Sequence, residues 1–322
     1  MSKFIGQLAN VGIGRETTRG TPVAAAFWLP RTAITFDDKA EKAVAMQAMG
    51  VIDEGTDAFV TKVWGEGTID GYIRDKSFGL ILYALMGSES VSGANPYTHT
   101  FTIAQSNQHT SLTLYADDPN QDYRFALAML NKLTIDVKLG ELVTFSADFM
   151  SRRSVPDSQT KSYVAENHFT AKHVNIYTGA NIAGLTGATA LAIKAFKLDF
   201  MKNLLPEQDL GTISLADIHN QSMAVEGELE LMYEDQTYRN YMLDGTYKSL
   251  RLEAKNTDVD LGGGVNPRLT IDLSRVHFFD WEQDRTNDKI VMQKVKYKAL
   301  YDLANAKNII DSIVLVNAQA TY

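Results

Sequence analysis

The chain has 322 residues, 31 Lys and Arg against 39 Asp and Glu, and no cysteine. Its length suits two domains of ordinary size, and the missing cysteines exclude disulfides, thiolate metal sites and a cysteine nucleophile. The net charge of −8 divides as 14 basic to 17 acidic residues over 1–155 and 17 to 22 over 156–322, so neither half has the basic footprint of a domain that grips nucleic acid. No apolar run reaches the roughly 18 residues of a membrane span, and Gln7 and Asn10 interrupt the short apolar start, so neither a span nor a secretory signal is read. The expectation is a large soluble protein made in a reducing cytosol.

In chain order, residues 14–26 read as irregular, with Gly14, Gly20, Pro22 and three consecutive alanines. Residues 37–57 also read as a loop, with charges flanking the apolar stretch Ala43 to Met49. A helix is expected after Asp75. Phe78, Ile81, Leu82 and Leu85 have i, i+3, i+4, i+7 spacing, Asp75 stands as N-cap and Gly87 as the stop. Residues 88–110, rich in Ser, Thr and Asn with Glu89 the one charge, read as a third irregular segment.

Period-two alternation then dominates, the pattern of half-buried strands. Leu133, Ile135 and Val137 alternate with Lys132, Thr134, Asp136 and Lys138. After a turn at Gly140-Glu141, Val143, Phe145, Ala147 and Phe149 alternate with Thr144, Ser146 and Asp148, which predicts an antiparallel hairpin. Late in the chain Val295, Tyr297, Ala299 and Tyr301 alternate with Lys294, Lys296 and Lys298. Further strands are expected at 111–115, 125–129, 173–177, 194–200, 225–231, 268–273 and 309–316. A second short helix follows Asp235, with Tyr238, Tyr241 and Met242 on one face and Gly245 at its end.

The two helices expose a repeat. Gly67-Thr68-Ile69-Asp70 leads to Asp75 and Phe78 as Gly227-Glu228-Leu229-Glu230 leads to Asp235 and Tyr238. Met49-Gly50-Val51-Ile52 falls on Leu210-Gly211-Thr212-Ile213, and Ile34-Thr35-Phe36 on Phe196-Lys197-Leu198 at nearly the same shift. Two copies are too few for a solenoid. The cut is placed at Val155-Pro156-Asp157-Ser158, which gives domains 1–155, with loop 37–57, and 156–322, with loop 203–221.

Catalytic signatures are sparse. Gly12-Ile13-Gly14 has Thr17 where a dinucleotide turn has its third glycine, so a strand end is the better reading. Gly262-Gly263-Gly264 lacks the lysine of a phosphate loop. His168 and His173 are five apart, a poor metal spacing, and His277 before Phe278-Phe279 reads as a packed imidazole. A glycosidase needs two carboxylates across a cleft, and none of Asp37, Asp38, Asp53, Glu54, Asp57, Asp117, Asp118 or Asp148 is singled out as such a pair. No catalytic residue, metal ligand or cofactor is assigned, and no enzyme is expected.

The stretch Ile13-Gly14-Arg15-Glu16-Thr17-Thr18-Arg19-Gly20-Thr21-Pro22 resembles the opening of the major tail tube proteins of long-tailed, siphovirus-like bacteriophages. In that family a first strand ends in a Gly-x-Glu-x-x-x-Gly-Thr turn, followed by an extended segment, here Phe27-Trp28-Leu29-Pro30. The stretch Val291 to Tyr301 and the closing strand Ile313-Val314-Leu315-Val316-Asn317 are similar too. Arg19 departs from the pattern, standing where the family often has an aromatic residue.

The resemblance implies a mainly β protein of two tandem tail-tube-type β-sandwich or barrel domains, each with one short α-helix. It implies a structural virion protein that polymerises into stacked rings, the conduit for DNA ejection. Each domain would give four strands to an inner barrel. Three copies would then complete a pseudo-hexameric ring, with a hexamer carrying one domain outside as the other arrangement. Partners implied are the chain itself, the tape measure protein, tail terminator and tip proteins, and double-stranded DNA in transient, non-specific passage. No membrane is involved, and the implied location is the virion tail, assembled in the host cytoplasm. Thr134, Asp136, Thr144, Ser146 and Asp148 are candidates to face the lumen, the alternative being ordinary solvent. Met46, Met49, Asp53, Glu54, Leu204 and Leu205 are candidates for contact between rings, the apolar four buried only on assembly. Competing readings are another β-rich virion module, such as a capsid decoration protein, and a carbohydrate-active β enzyme.

Overall fold

The computed structural model describes Lys3 and residues 5–322; Met1, Ser2 and Phe4, at the start of the expected first domain, lie outside the described residues. The chain is mainly β, with two α-helices, Phe78–Met86 and Thr237–Leu243. The expected hairpin is present. Asp122–Lys138 runs antiparallel to Thr144–Ser151, with Ile135 opposite Phe145 and Leu133 opposite Ala147. These four are buried, whereas Thr134, Asp136, Thr144, Ser146 and Asp148 are half-buried on the other face, as side-chain alternation requires.

A sheet grows from this hairpin in both directions. Thr144–Ser151 pairs with Asp57–Tyr72, and Asp57–Tyr72 pairs with Arg31–Ile34 and Asp37–Ala45 in a register that is constant from Ala33 to Glu41 and shifts on either side of that stretch. On the other side the C-terminal part of Asp122–Lys138 pairs with Ile193–Met201. Ala224–Met232, Met292–Leu300 and the C-terminal part of Arg268–Asp284 follow in that order. With the 31–45 stretch taken as one strand, eight strands stand side by side, four from each half of the chain.

The two groups of four correspond register for register. Ile69 lies between Ile34 and Ala147, and Leu229 lies between Phe196 and Val295. Each long strand skips one residue in its inner pairing, Asn131 in one and Phe279 in the other. Each shifts register again where it pairs with Leu112–Asp117 or Tyr247–Lys255. A bulge bends a strand, and these bulges carry both long strands out of the inner sheet into an outer one. There the N-terminal part of Asp122–Lys138 meets Leu112–Asp117, which pairs with Asn10–Arg15. Correspondingly, Arg268–Asp284 meets Tyr247–Lys255, which pairs with Val174–Gly179.

The halves also interlock. The hairpin of Gly87–Ser92 and Tyr97–Ile103 adds to the edge of Ile310–Asn317, so a first-half hairpin extends a second-half sheet. One buried apolar cluster accordingly runs from Val11 and Ile13 through Phe145 and Phe196 to Leu315. Around the expected cut, Val155–Pro156 pairs back onto Tyr123 and Arg124.

Helix Phe78–Met86 is buried on every side, because all nine residues are apolar or glycine and the 87–103 hairpin, the sheets and Tyr322 enclose it. Gly87 ends it in the left-handed conformation, as expected. Its N-cap is Ser77; Asp75, the expected cap, is buried and accepts hydrogen bonds from the backbone and side chain of Asn167. Helix Thr237–Leu243 packs Tyr238 and Tyr241 on Phe278.

Two segments expected to be irregular are hairpins. Residues 37–45 and 57–66 pair as an arm, and 87–92 pairs with 98–103. Their polar residues mimic loop composition because neither hairpin is sandwiched between two layers. Tyr301, expected in a strand, lies just beyond Met292–Leu300 and is half exposed.

Candidate assembly surfaces

The open face of the eight-strand sheet is a lattice of charge. Beside Thr134, Asp136, Thr144, Ser146 and Asp148 lie Thr68 and Asp70 on one flank and Lys197 and Asp199 on the other. Lys132 and Lys197 reach Asp199 at 3.2 and 3.3 Å, and Lys138 reaches Asp136 at 3.0 Å. Farther along, Lys298 meets Glu226 at 2.7 Å, Lys294 meets Glu228 at 3.5 Å and Lys296 meets Asp280 at 2.8 Å. Burial alone would raise the Asp199 carboxyl, but the Thr134 hydroxyl and Lys132 outweigh it and hold that carboxyl below its usual range. Asp148 goes the other way: burial pushes it up, Asp70 and Glu66 add to the rise, and Lys132 only partly offsets them. Lys132, Lys138, Lys197, Lys294, Lys296 and Lys298 each have a carboxylate near them, whereas Lys39, at the 31–45 edge, makes no such pair among the described residues, and Asp70, Glu66 and Glu230 make none of these pairs either.

Both ends of the sheet are open. Among the described residues, the 31–45 strand pairs only with Asp57–Tyr72, and residues 278–284 pair only with Met292–Leu300. An unpaired strand edge is a template for another strand. Phe279, at the second edge, is 60% exposed. Beside the first edge lies a cavity of about 170 Å³ lined by Ile34, Phe36, Ala116, Tyr123 and Phe125.

The arm of 37–66 carries exposed apolar side chains toward its tip: Val44, Met46, Met49, Val51, Phe59 and a fully exposed Ile52. Asp53 and Glu54 sit in the same exposed turn. Its counterpart, 203–221, does not project. There Leu205–Glu207 pairs with Asp217–His219, and Leu215 and Ile218 bury against Leu127 and Met129 of the first half. Leu205 is half exposed, but Leu204 already packs on that cluster, contrary to the expectation that it is buried only on assembly.

Arg19 is the clamp. Its guanidinium donates to the Asp217 carboxylate at 2.5 Å, to the Ile218 carbonyl at 2.7 Å and to the His109 carbonyl. Arg19 is therefore the residue that ties 203–221 down. Arg152 helps, donating to the Leu215 and Ala216 carbonyls. Reading the sequence alone missed this role, because the partners are some 200 residues away in the chain.

The turn motif around Arg19 is organised by Glu16, which is 2% exposed. Its carboxylate accepts from the Gly20 and Leu127 backbone N–H groups at 2.7 and 2.9 Å, from Thr113 at 3.0 Å and from Ser111. Gly20 has φ +72°, and a Cβ on Gly14 would lie 2.3 Å from the Ala24 carbonyl oxygen. The motif's Glu and glycines are thus fixed by close approach and a buried acceptor, not by ligand chemistry.

Lys202 is fully buried and donates to the Ala84 carbonyl, near the end of helix Phe78–Met86, at 2.8 Å. Burial, with the like charge of Arg19, lowers its pKa to about 7. His109 beside it is lowered to about 4 by burial and then by Lys202. Neither was singled out from the sequence. His173 is buried against Thr170 and Asp258, His168 faces Tyr72, and His277 is half-buried against Tyr247. Among the described residues no group of three or more His, Asp or Glu is placed to hold a metal ion, and no helix is long and apolar enough to cross a membrane.

A family model described as phage tail tube protein matches residues 6–288. No curated protein matches the chain.

Proposed function

The chain belongs to the phage tail tube protein family, a structural component of the virion tail, and from that premise we propose that three copies close into a ring, that rings stack into the tube, and that the open sheet face lines its bore. The observation that carries this reading is the eight-strand sheet with corresponding registers in its halves and an unpaired strand at each end. Matched registers and matched bulges support two tail-tube units, 1–155 and 156–322, joined within one chain. A head-to-tail contact closes into a ring if its rotation allows, while stacking of rings stays open-ended. Twenty-four strands at a spacing of about 4.8 Å and a tilt of about 40° give a backbone diameter of about 50 Å. Inward side chains reduce that to a bore wider than a DNA duplex.

The charge lattice suits passage. A conduit lined by free lysines would bind phosphates and release counterions at every ring; here six lysines of the face, Lys132, Lys138, Lys197, Lys294, Lys296 and Lys298, each have a carboxylate beside them. The arm, with Met46, Met49, Asp53 and Glu54 at its end, would contact the next ring. The tape measure protein and the terminator and tip proteins are the further partners of this reading, and the work is structural, without catalysis. Electron microscopy of the purified, assembled protein tests it: tubes whose cross-sections hold three chains in six similar lobes are expected. Six chains per ring, or isolated molecules at every concentration, would refute it.

A further inference from the structure

We propose that the strand junction inside the chain is a template for the junction between chains, and that it fixes the register in which residues 35–39 of one copy pair with residues 280–284 of the next. This inference rests on the ring reading. Inside the chain, Asp122–Lys138 ends the first group of four strands and Ile193–Met201 begins the second; they pair with Leu198 opposite Ile135, Asp199 opposite Thr134 and Phe200 opposite Leu133. The strand equivalent to Asp122–Lys138 is Arg268–Asp284, and the strand equivalent to Ile193–Met201 is the 31–45 stretch. Both of these are the unpaired ends of the sheet.

The correspondence can be followed residue by residue. Ile34 opposite Ile69 matches Phe196 opposite Leu229, so Phe36 stands where Leu198 stands and Asp37 where Asp199 stands. Leu133 opposite Ala147 matches Trp281 opposite Val295, so Trp281 stands for Leu133 and Glu282 for Thr134. The skipped residues Asn131 and Phe279 coincide under the same shift, which pins it independently. Transferring the internal junction then sets Thr35 opposite Asp284, Phe36 opposite Gln283, Asp37 opposite Glu282, Asp38 opposite Trp281 and Lys39 opposite Asp280. The internal ladder closes with the Lys202 N–H donating to the Asn131 carbonyl at 2.9 Å; its counterpart is Ala40 N–H to the Phe279 carbonyl.

The chemistry of the two edges fits a second copy. Lys39 gains Asp280 as Lys132 gains Asp199 inside the chain. Asp37 faces Glu282, and Lys296, already 4.0 Å from Glu282 and 2.8 Å from Asp280, offsets that repulsion. On the inner face the half-buried Trp281 comes to the edge where Ile34 and Phe36 border an open cavity that Tyr123 and Phe125 line together with Asp37, Asp117 and Asp118. A one-residue slip would turn Trp281 and Phe36 to opposite faces, so the register is specified by burial as well as by symmetry.

The chain has no cysteine, which makes the test clean. Asp37 and Glu282 are both exposed, so Asp37→Cys with Glu282→Cys leaves the packed core untouched. Directly opposite residues of an antiparallel pair lie within reach of a disulfide, whereas a neighbour two positions along does not. Oxidising assembled tubes of the double variant is expected to link most chains into covalent species that stop at three, with no link in either single variant. The Asp37→Cys, Asp280→Cys pair, two residues out of register, is expected to link at least tenfold less. Tubes that form normally but link only in the offset pair, or in neither pair, overturn the register while leaving the tube reading standing. Absence of rings and tubes from the unmodified protein overturns both.

Discussion

At the scale of single residues, buried polar groups do work that composition hides. Glu16 accepts four hydrogen bonds inside the protein and holds together the first strand, the turn to Gly20 and the backbone at Leu127. Removing it leaves several buried donors unmatched, at a net cost of about 3 kcal/mol. Glu16→Ala is expected to lower the unfolding free energy by that amount in urea titration, and Glu16→Gln by less, because one acceptor oxygen survives. Lys202 makes a pH signature. Its folded pKa of about 7 lies below the ordinary 10.5, so the unfolded chain holds the proton more tightly. The penalty is complete below about pH 7 and fades as the pH climbs toward 10.5, so stability should rise over that window. The same rise is expected to vanish in Lys202→Met when melting temperature is followed from pH 7 to pH 10. His109, lowered from 6.5 to about 4, adds a loss of stability as the pH falls through that interval, and His109→Gln should flatten it.

Elements that look alike in sequence diverge where their partners differ. The arm of 37–66 and the segment 203–221 occupy corresponding places between corresponding strands, yet one projects and the other lies flat. Arg19 and the pocket of Leu127 and Met129 hold the second down; nothing among the described residues covers the tip of the first. One projecting arm per chain would key each ring to its neighbour at three positions. Replacing residues 46–55 by a tight Asn-Gly turn is expected to shift the unfolding free energy by no more than about 0.5 kcal/mol, since exposed residues are removed. Rings should still form and tubes should not, as read by electron microscopy; full-length tubes from this variant would rule the arm out as the stacking contact.

For the whole molecule the question is which surfaces are left for other copies. The apolar faces of the sheets are consumed inside one common core, so what remains is edges, an arm and a charged face. In the proposed tube the charged face would meet the DNA. Turning Asp136 and Asp148 to lysine would free Lys138 from its partner, set a lysine directly opposite Lys132 and add phosphate-binding groups at every ring. Tubes of Asp136→Lys, Asp148→Lys are expected to retain duplex DNA at low salt and release it steeply as salt rises, whereas unmodified tubes retain none. Equal retention by both would mean that this face does not meet the DNA.

Alternating residues such as Leu133 to Val137 and Val143 to Phe149 determined from the sequence alone that the chain is mainly β, because a half-buried strand must alternate. The helix from Phe78 to Gly87 and the shared glycines Gly67 and Gly227 were legible for the same reason, each being a local demand of backbone geometry or burial, whereas the turn around Glu16 was legible only through the resemblance to a family. The arm at 37–66 was not legible, since its strands lie outside the packed layers and carry no apolar alternation to read; at 97–103 the alternation of Tyr97, His99, Phe101 and Ile103 with threonines was present but masked by the Ser, Thr and Asn around it. Nor were Arg19 to Asp217, Lys202 to Ala84, or the joining of Asp122–Lys138 to Ile193–Met201. Those depend on groups far apart in the chain, and the cost of bringing distant groups together is met only when the whole core forms. Local periodicity therefore decided the kind of structure, and the tertiary fold decided which edges and faces it leaves open.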